Sequence, residues 1–206
     1  MPASSGSPLK GAPSPRQSLR DRPSPLPLRG RGTEVGGTAA DTISWVLRVG
    51  LISDTHGLLR PEALAALQGS DHIVHAGDIG DPAILEALAR IAPVTAVRGN
   101  NDAGATYRRI PETATLEAGG IRVHVIHDLK ELELDPAAAG YRVVVSGHSH
   151  RPLSSERDGV LYVNPGSAGP RRFSLPISIG YLHLKGGQVE AELVELLATP
   201  ARKSPG

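Results

Sequence analysis

Residues 45–79 read WVLRVGLISDTHGLLRPEALAALQGSDHIVHAGDI, and this stretch decides the fold class. It opens on a near-continuous apolar run over 45–53, as expected for a strand that is buried on both faces. The segment 61–68 has the spacing of a short helix, with Pro61 at its first position. A second apolar strand follows over 72–76. Strand, helix and strand in this order indicate an α/β fold.

The pattern continues with one more helix and strand and then changes into hairpins. Asp81 and Pro82 are expected to begin a second helix, in which Ile84 and Leu88 share one face, before a third strand over 94–97. Later strands are expected around two double-glycine turns and in two valine-rich runs. The turns lie around 118–120 and 185–187, and the valine-rich runs cover 143–147 and 160–164. The whole pattern predicts two packed mixed β-sheets flanked by helices.

Composition narrows the function classes. The 206 residues carry 22 basic and 21 acidic side chains, and a net charge of +1 disfavours dedicated nucleic-acid binding. One Trp, four Tyr and one Phe are too few for a base-stacking platform. Cysteine is absent, so any metal must be held by His, Asp, Glu or Asn. No apolar run approaches a membrane span, and a cytoplasmic protein without membrane attachment is predicted.

The chain divides into three parts by composition. Residues 1–44 are rich in Pro, Ser, Gly and Arg and lack apolar periodicity, which predicts a disordered leader. Residues 45–198 form one predicted domain, and 199–206 are predicted to be a flexible tail. Whether the leader belongs to the native protein stays open. A misassigned start is favoured over a targeting peptide, because the prolines of the leader are incompatible with the amphipathic helix that such a peptide needs.

Seven side chains that can bind a metal follow five predicted strands. The carboxyl ends of strands in an open α/β sheet face the ligand crevice, so we expect these side chains to meet there. Their carboxylate, amide and imidazole groups favour manganese, with iron, nickel or zinc as alternatives. The seven candidates are Asp54, His56, Asp78, Asn100, His127, His148 and His150.

The set is large enough for two divalent ions. Two ions about 3.5 to 4 Å apart can clamp a phosphate, turn a bridging water into the attacking hydroxide and stabilise the leaving oxygen. Asp78 is suited to bridge the ions because its carboxylate has two oxygens. One ion would take Asp54, His56 and His150, and the other would take Asn100, His127 and His148.

These motifs resemble a known family. In order along the chain, ISDTHG, GDIGD, RGNND, the isolated His127 and GHSH are similar to the signature of the calcineurin-like metallophosphoesterase superfamily, over about 48–196. GNND, the short length and NPGS at 164–167 resemble its small YfcE-type phosphodiesterases. The resemblance implies an αββα sandwich, the same seven ligands and a small phosphodiester as substrate. It also implies catalytic roles for Asp54, Asp78, Asn100 and His127.

Two positions depart from the family pattern. Asp128 stands where family members often have Gly, and Asn101 stands where the wider superfamily has a general-acid His. The second departure leaves no obvious acid to protonate the leaving group.

Other polar residues have two interpretations each. His75 is expected to pack in the core or to bond a neighbour of the site rather than to act as an eighth ligand. Asn164 and Ser167 could brace the site or form an ordinary turn. Asn100 and Arg171 are candidate substrate-binding residues, although Arg171 and Arg172 also fit a solvated basic pair, and Arg98 is similarly undecided. We expect three further histidines to face solvent, namely His72, His124 and His183.

The predicted function is a metal-dependent phosphodiesterase. The main alternative is a protein-interaction scaffold without catalysis, since the retromer scaffold subunit resembles the same fold. A nucleotide or phosphoprotein phosphatase is disfavoured by Asn101 and by the lack of added substrate domains. A homo-oligomer is left open.

Overall fold

The computed structural model describes residues 46–172 and 174–197, so the predicted leader and tail lie outside the described residues. The described chain contains ten strands, two α-helices and two 3₁₀ turns. None of its helices has the length and apolar character needed to span a membrane. The helices are α1 (Pro61–Leu67) and α2 (Ala83–Ala89), and the 3₁₀ turns cover Ala105–Arg109 and Leu129–Glu131. The strands are β1 (Val46–Ile52), β2 (His72–Ala76), β3 (Val94–Val97), β4 (Thr113–Ala118), β5 (Ile121–Ile126), β6 (Val143–Val145), β7 (Leu153–Arg157), β8 (Val160–Asn164), β9 (Ile177–Lys185) and β10 (Gln188–Leu197).

The strands form two five-stranded mixed sheets. The first has the order β10-β9-β1-β2-β3, with β1, β2 and β3 parallel and β9 antiparallel to β1. The second has the order β4-β5-β6-β8-β7, with β5, β6 and β8 parallel and both edge strands antiparallel. The predicted sandwich of two mixed sheets is confirmed.

Three apolar layers hold the sandwich together. Valines from both sheets, such as Val49 and Val125, are buried between the sheets. On the outer face of the first sheet, Leu67 of α1 and Leu88 of α2 are fully buried, and each such burial contributes about 2 kcal/mol. The outer face of the second sheet is covered at Val144 by residues near the 3₁₀ turn Leu129–Glu131.

Both double-glycine turns were predicted correctly. Gly119 and Gly120 have φ of 55° and 77°, and Gly186 and Gly187 have φ of 56° and 80°. These values fit a two-residue hairpin turn with positive φ at both positions, which glycine adopts without strain.

Two elements differ from the sequence expectation. Helix α2 begins at Ala83 rather than at Pro82, although Asp81 still caps it by accepting a 2.9 Å hydrogen bond from the Ala83 N–H. The strand β7 was not predicted, because its sequence LSSER has no apolar alternation. Such a pattern is tolerated at β7 because it is an edge strand, mostly exposed.

The expectation that His72 and His124 face solvent is wrong. Their exposed fractions are 7% and 4%. His72 contacts the Thr95 hydroxyl at 2.8 Å, and the ring of His124 packs against the Tyr141 ring with centroids 5.0 Å apart. Because these histidines alternate with apolar residues, their side chains were expected to face solvent. The outer faces of both sheets are covered as well, so the side chains are buried. His183, by contrast, is partly exposed and pairs with Glu192 at 2.8 Å.

Candidate metal centre

The seven predicted ligands lie in loops that follow the carboxyl ends of β1, β2, β3, β5 and β6. Among the non-glycine residues described, six have positive φ, and five of these are predicted ligands. Left-handed backbone costs energy for such residues and is concentrated at functional sites. The sharp turns bring the side chains back over the strand ends. The five are Asp54, His56, Asp78, His148 and His150, with φ between 45° and 63°.

The first group of donors consists of Asp54, His56 and His150. The Nε2 atoms of the two histidines are 3.2 Å apart, and their rings stack with centroids 5.1 Å apart. Asp54 Oδ1 lies 3.3 Å from His150 Nε2, is buried, and has no hydrogen-bond partner in the described part of the chain. A buried carboxylate oxygen without a partner is costly unless a cation satisfies it.

The second group consists of Asn100, His127 and His148. Asn100 Oδ1 lies 3.2 Å from His127 Nε2 and 3.0 Å from His148 Nδ1. His127 Nδ1 lies 2.7 Å from the Ala76 carbonyl oxygen and therefore donates to it, which leaves Nε2 as the nitrogen that faces the site. The amide oxygen and the two imidazoles thus converge from three loops.

Asp78 lies between the two groups. Its Oδ2 is 3.5 Å from His127 Nε2 in the second group and 3.8 Å from His56 Nε2 in the first. Asp78 is 2% exposed, so the carboxylate is available to the site and not to bulk water. This is the position that a bridging ligand needs, and the bridging role itself stays a prediction.

Hydrogen bonds keep Asp78 ionised. Burial alone would raise the pKa of this carboxyl, but hydrogen bonds from His127 and Asn101 outweigh burial and hold the pKa well below its usual value. Burial lowers the pKa of His127, yet its bonds to Asp78 and to the Ala76 carbonyl raise the pKa above the ordinary value. Burial is also the main reason why the pKa of His56 is lowered.

The donor set fits divalent metal. Two sets of three residues could each hold an ion, because the ligand atoms within each set all lie within 4.8 Å of one another. One set is Asp54, His56 and His150, and the other is Asp54, Asp78 and His127. Mixed carboxylate, amide and imidazole donors suit borderline divalent metals. The Nε2 atoms of His56 and His150 face each other at 3.2 Å, and a cation bound by both would satisfy them.

Two glycines allow the ligands to approach the backbone. A Cβ on Gly99 would lie 2.2 Å from Asp78 Oδ1, and a Cβ on Gly77 would lie 2.5 Å from His127 Nδ1. Gly77 also has a φ of 91°, which L side chains rarely adopt. Any larger residue at either position would displace a ligand.

Sequence reasoning missed Asp102, which ties two ligand loops together. This buried carboxylate accepts hydrogen bonds from the backbone N–H groups of Ile79, Gly80 and Gly99 at 3.0, 3.0 and 2.8 Å. It thereby links the loop that carries Asp78 to the loop that carries Asn100. The acid that ends RGNND was the available signal.

The turn at 164–167 braces the site. Asn164 Nδ2 donates to the Gly147 carbonyl oxygen at 2.5 Å, next to His148. The Ser167 hydroxyl donates to the carbonyl oxygen of Asp54 at 3.0 Å. Of the two interpretations that the sequence left open, the structure favours bracing over an ordinary turn.

His75 is a core histidine, as predicted. It is fully buried, and its Nε2 lies 2.9 Å from the hydroxyl of Thr55, between two ligand residues in sequence. The Thr55 hydroxyl also donates to the Ile79 carbonyl oxygen at 2.9 Å, so His75 is the donor toward Thr55. Burial lowers the pKa of His75 to about 4.

The arginines are placed differently from one another. Arg171 donates hydrogen bonds to the carbonyl oxygens of Leu175 and Leu197 at 2.9 and 3.0 Å. Arg172 lies with its guanidinium 3.4 Å from His56 Nε2. Substrate binding by Arg171 stays a prediction, and Arg172 is a second candidate because it lies beside a predicted ligand.

A family model settles the relationship that the motifs suggested. The model of the calcineurin-like phosphoesterase superfamily domain matches residues 47–187. The chain belongs to the calcineurin-like phosphoesterase superfamily. Membership in this superfamily supports a metal-dependent phosphoesterase and accounts for the convergence of carboxylate, amide and imidazole donors at the strand ends.

Individual proteins resemble the chain over most of its domain. A probable metallophosphoesterase of Methanothermobacter thermautotrophicus is 34% identical over 166 residues, or 75% of this chain and 95% of the relative. A phosphodiesterase of Methanocaldococcus jannaschii is 25% identical over 139 residues, or 58% of this chain and 83% of the relative. The structure of vacuolar protein sorting 29 from Cryptosporidium parvum matches with a TM-score of 0.60 at 19% identity, over 73% of this chain and 97% of that chain, and shows the shared fold.

Proposed function

We propose that this protein is a phosphodiesterase that hydrolyses a small phosphodiester with two divalent metal ions, manganese being the first expectation. The observation that carries the proposal is the position of Asp78. Its carboxylate lies between two donor groups, 3.8 Å from His56 Nε2 and 3.5 Å from His127 Nε2. The similarity to a phosphodiesterase of Methanocaldococcus jannaschii supports a diester as the substrate.

When bound, the two ions would activate the attacking water, offset the charge of the phosphate and stabilise the leaving oxygen. The residues of the chain supply the geometry for this chemistry. His127 is oriented by its bond to Ala76, and Asp78 is held by Asn101, so neither side chain must reorganise during the reaction. Arg172, beside His56, is placed to pair with a non-bridging phosphate oxygen.

A non-catalytic scaffold of the same fold is the alternative function. The shared fold with vacuolar protein sorting 29 keeps this alternative in view, but fold alone does not determine activity. A scaffold has no need of a complete donor set, whereas all seven donors of this chain converge. The complete set therefore favours the enzyme.

The test is an activity panel with reconstituted protein. Chelator-stripped enzyme is assayed on phosphomonoesters and phosphodiesters with Mn²⁺, Fe²⁺, Ni²⁺ or Zn²⁺ added singly. We expect hydrolysis only with metal and a preference for diesters. The His150→Ala variant should lose activity, and His183→Ala, a histidine outside the site, is the matched control. Metal-dependent monoester hydrolysis without diester hydrolysis would contradict the proposal.

A further inference from the structure

A cavity of about 430 Å³ adjoins the metal centre on the side of the second sheet. We call it the side cavity and define it by Asp128, Lys130, His148, Leu153, Arg157 and Tyr162, which line it. Its volume falls in the range of pockets that bind small organic ligands. His148 belongs both to this cavity and to the donor set, so a ligand in the cavity lies next to the reacting phosphate.

We propose that the side cavity binds the second ester group of the phosphodiester and that this group is an aromatic ring, neutral or anionic. The inference rests on the proposed phosphodiesterase function and adds the class of substrate to it. A diester has two substituents on phosphorus, and only one leaves in a hydrolysis. The other needs a place beside the metal centre.

The walls of the side cavity favour an aromatic group. Leu153 is 48% exposed and offers an apolar surface, although exposed large apolar side chains are otherwise uncommon in the described chain. The guanidinium of Arg157 lies over the ring of Tyr162, 5.3 Å from the ring centroid, which is within the distance of about 6 Å for a cation–π contact. A flat guanidinium held in this way presents its other face to a second ring.

The charges of the side cavity disfavour a cationic group. Lys130 and Arg157 line it and form no ion pair within residues 46–172 and 174–197. The acid that lines it, Asp128, accepts a hydrogen bond from the Lys130 backbone N–H and lies 3.5 Å from His148 Nε2. An anionic aromatic ring would therefore meet two cations in this cavity.

A second cavity, of about 330 Å³, shares Asp128 and His148 with the side cavity and is also lined by the donors Asn100 and His127. Its lining includes Glu112 and Glu131, and its arginine, Arg98, is already paired with Glu112 at 2.5 Å. Acidic walls would repel an anionic ester group and offer an aromatic ring little apolar contact. The contrast between the two cavities points to the side cavity as the place for the ring.

The test compares two diesters with the same leaving group. Phenyl 4-nitrophenyl phosphate and methyl 4-nitrophenyl phosphate are assayed with the manganese-loaded enzyme. We expect kcat/KM for the phenyl ester to exceed that for the methyl ester by about tenfold, beyond the difference between their uncatalysed rates. Leu153→Asp and Arg157→Ala should each reduce this ratio several-fold. Leu134→Asp, at an exposed leucine that does not line the cavity, is the matched control and should keep the ratio.

A binding measurement provides a readout that does not depend on turnover. Calorimetry with phenylphosphonate and methylphosphonate should show tighter binding of the phenyl compound by the unmodified protein and loss of that preference in Leu153→Asp. Equal ratios in the unmodified protein and both variants would overturn the assignment of the side cavity. If neither diester is hydrolysed with any metal, the phosphodiesterase proposal fails, and the phosphonate preference still decides whether the cavity binds a ring.

Discussion

The side-chain amide of Asn101 donates a hydrogen bond of 2.6 Å to Asp78 Oδ2, and the Asn101 backbone N–H donates one of 2.9 Å to Asp78 Oδ1. The residue that stands where the wider superfamily has a general-acid histidine thus restrains the central carboxylate. An amide in this role has no proton to give to a leaving group. Asn101 thus holds the Asp78 carboxylate in place but leaves the site without a proton donor at this position.

Leaving-group dependence follows from this arrangement. General acid catalysis is typically worth about 10² to 10⁴ in rate, so diesters with poor leaving groups should turn over much more slowly than activated aryl diesters. Rates measured for a series of diesters should fall steeply with leaving-group pKa. Asn101→His should flatten the slope if its imidazole reaches the leaving oxygen, whereas Asn101→Ala, which also loses the bond to Asp78, should not. A shallow slope in the unmodified enzyme would mean that another group supplies the proton.

Asp128 is expected to orient His148. Its Oδ2 lies 3.5 Å from His148 Nε2, while His148 Nδ1 faces Asn100 at 3.0 Å. Carboxylates that hold a ligand imidazole typically contribute about 10-fold to 100-fold in metal affinity. Asp128→Asn should therefore weaken Mn²⁺ binding by about tenfold without changing the melting temperature of the metal-free protein. Asp158→Asn, in an exposed turn outside the donor set, is the control, and equal affinities in the two variants would exclude the orienting role.

Gly99→Ala should damage the metal centre directly. The added Cβ would lie 2.2 Å from Asp78 Oδ1 and 2.4 Å from the Asp78 backbone nitrogen, so the carboxylate would have to move. We expect calorimetry to show that the Gly99→Ala variant no longer binds metal. Gly120→Ala is the matched control, since its Cβ would meet nothing within 4 Å and only the positive φ of 77° is strained. That variant should lose about 1 kcal/mol of stability and keep its metal affinity.

Burial of His72 should make the stability of the metal-free protein depend on pH. Burial lowers the pKa of His72 from 6.5 to about 4 in the folded protein. Between these values the unfolded chain binds a proton that the folded chain does not, so the free energy of unfolding falls as the pH is lowered. The slope from this residue is at most about 1.4 kcal/mol per pH unit. In urea unfolding from pH 7 to 4.5, the free energy of unfolding of His72→Gln should depend less steeply on pH than that of the unmodified protein. His183→Gln, at a partly exposed position, should keep the slope of the unmodified protein.

Much of the fold and the donor set could be predicted from the sequence because both follow local patterns. The apolar run ending at Ile52 and the double glycines at 119–120 specify elements by themselves. The convergence of Asp54 with His150 follows from a rule about strand ends and needs no knowledge of packing.

The remaining features depend on tertiary contacts that no local pattern reveals. The burial of His72 and His124 results from outer layers that cover both sheets. The bonds of Asp102 to three backbone N–H groups depend on two loops that meet only in the folded chain. The division into leader, domain and tail, the identity of the metal and a cytoplasmic location stay predictions, and the oligomeric state stays open.

Elemental analysis of reconstituted protein, with turnover measured in parallel, decides whether two metal ions share Asp78. We predict two ions per chain, complete loss of turnover in chelator and recovery on adding metal. Asp78→Asn should keep the fold but weaken both sites, since a neutral amide lacks the negative charge that the carboxylate offers to two cations. A content of zero ions, or undiminished turnover in chelator, would contradict a metal-dependent enzyme in which Asp78 is shared.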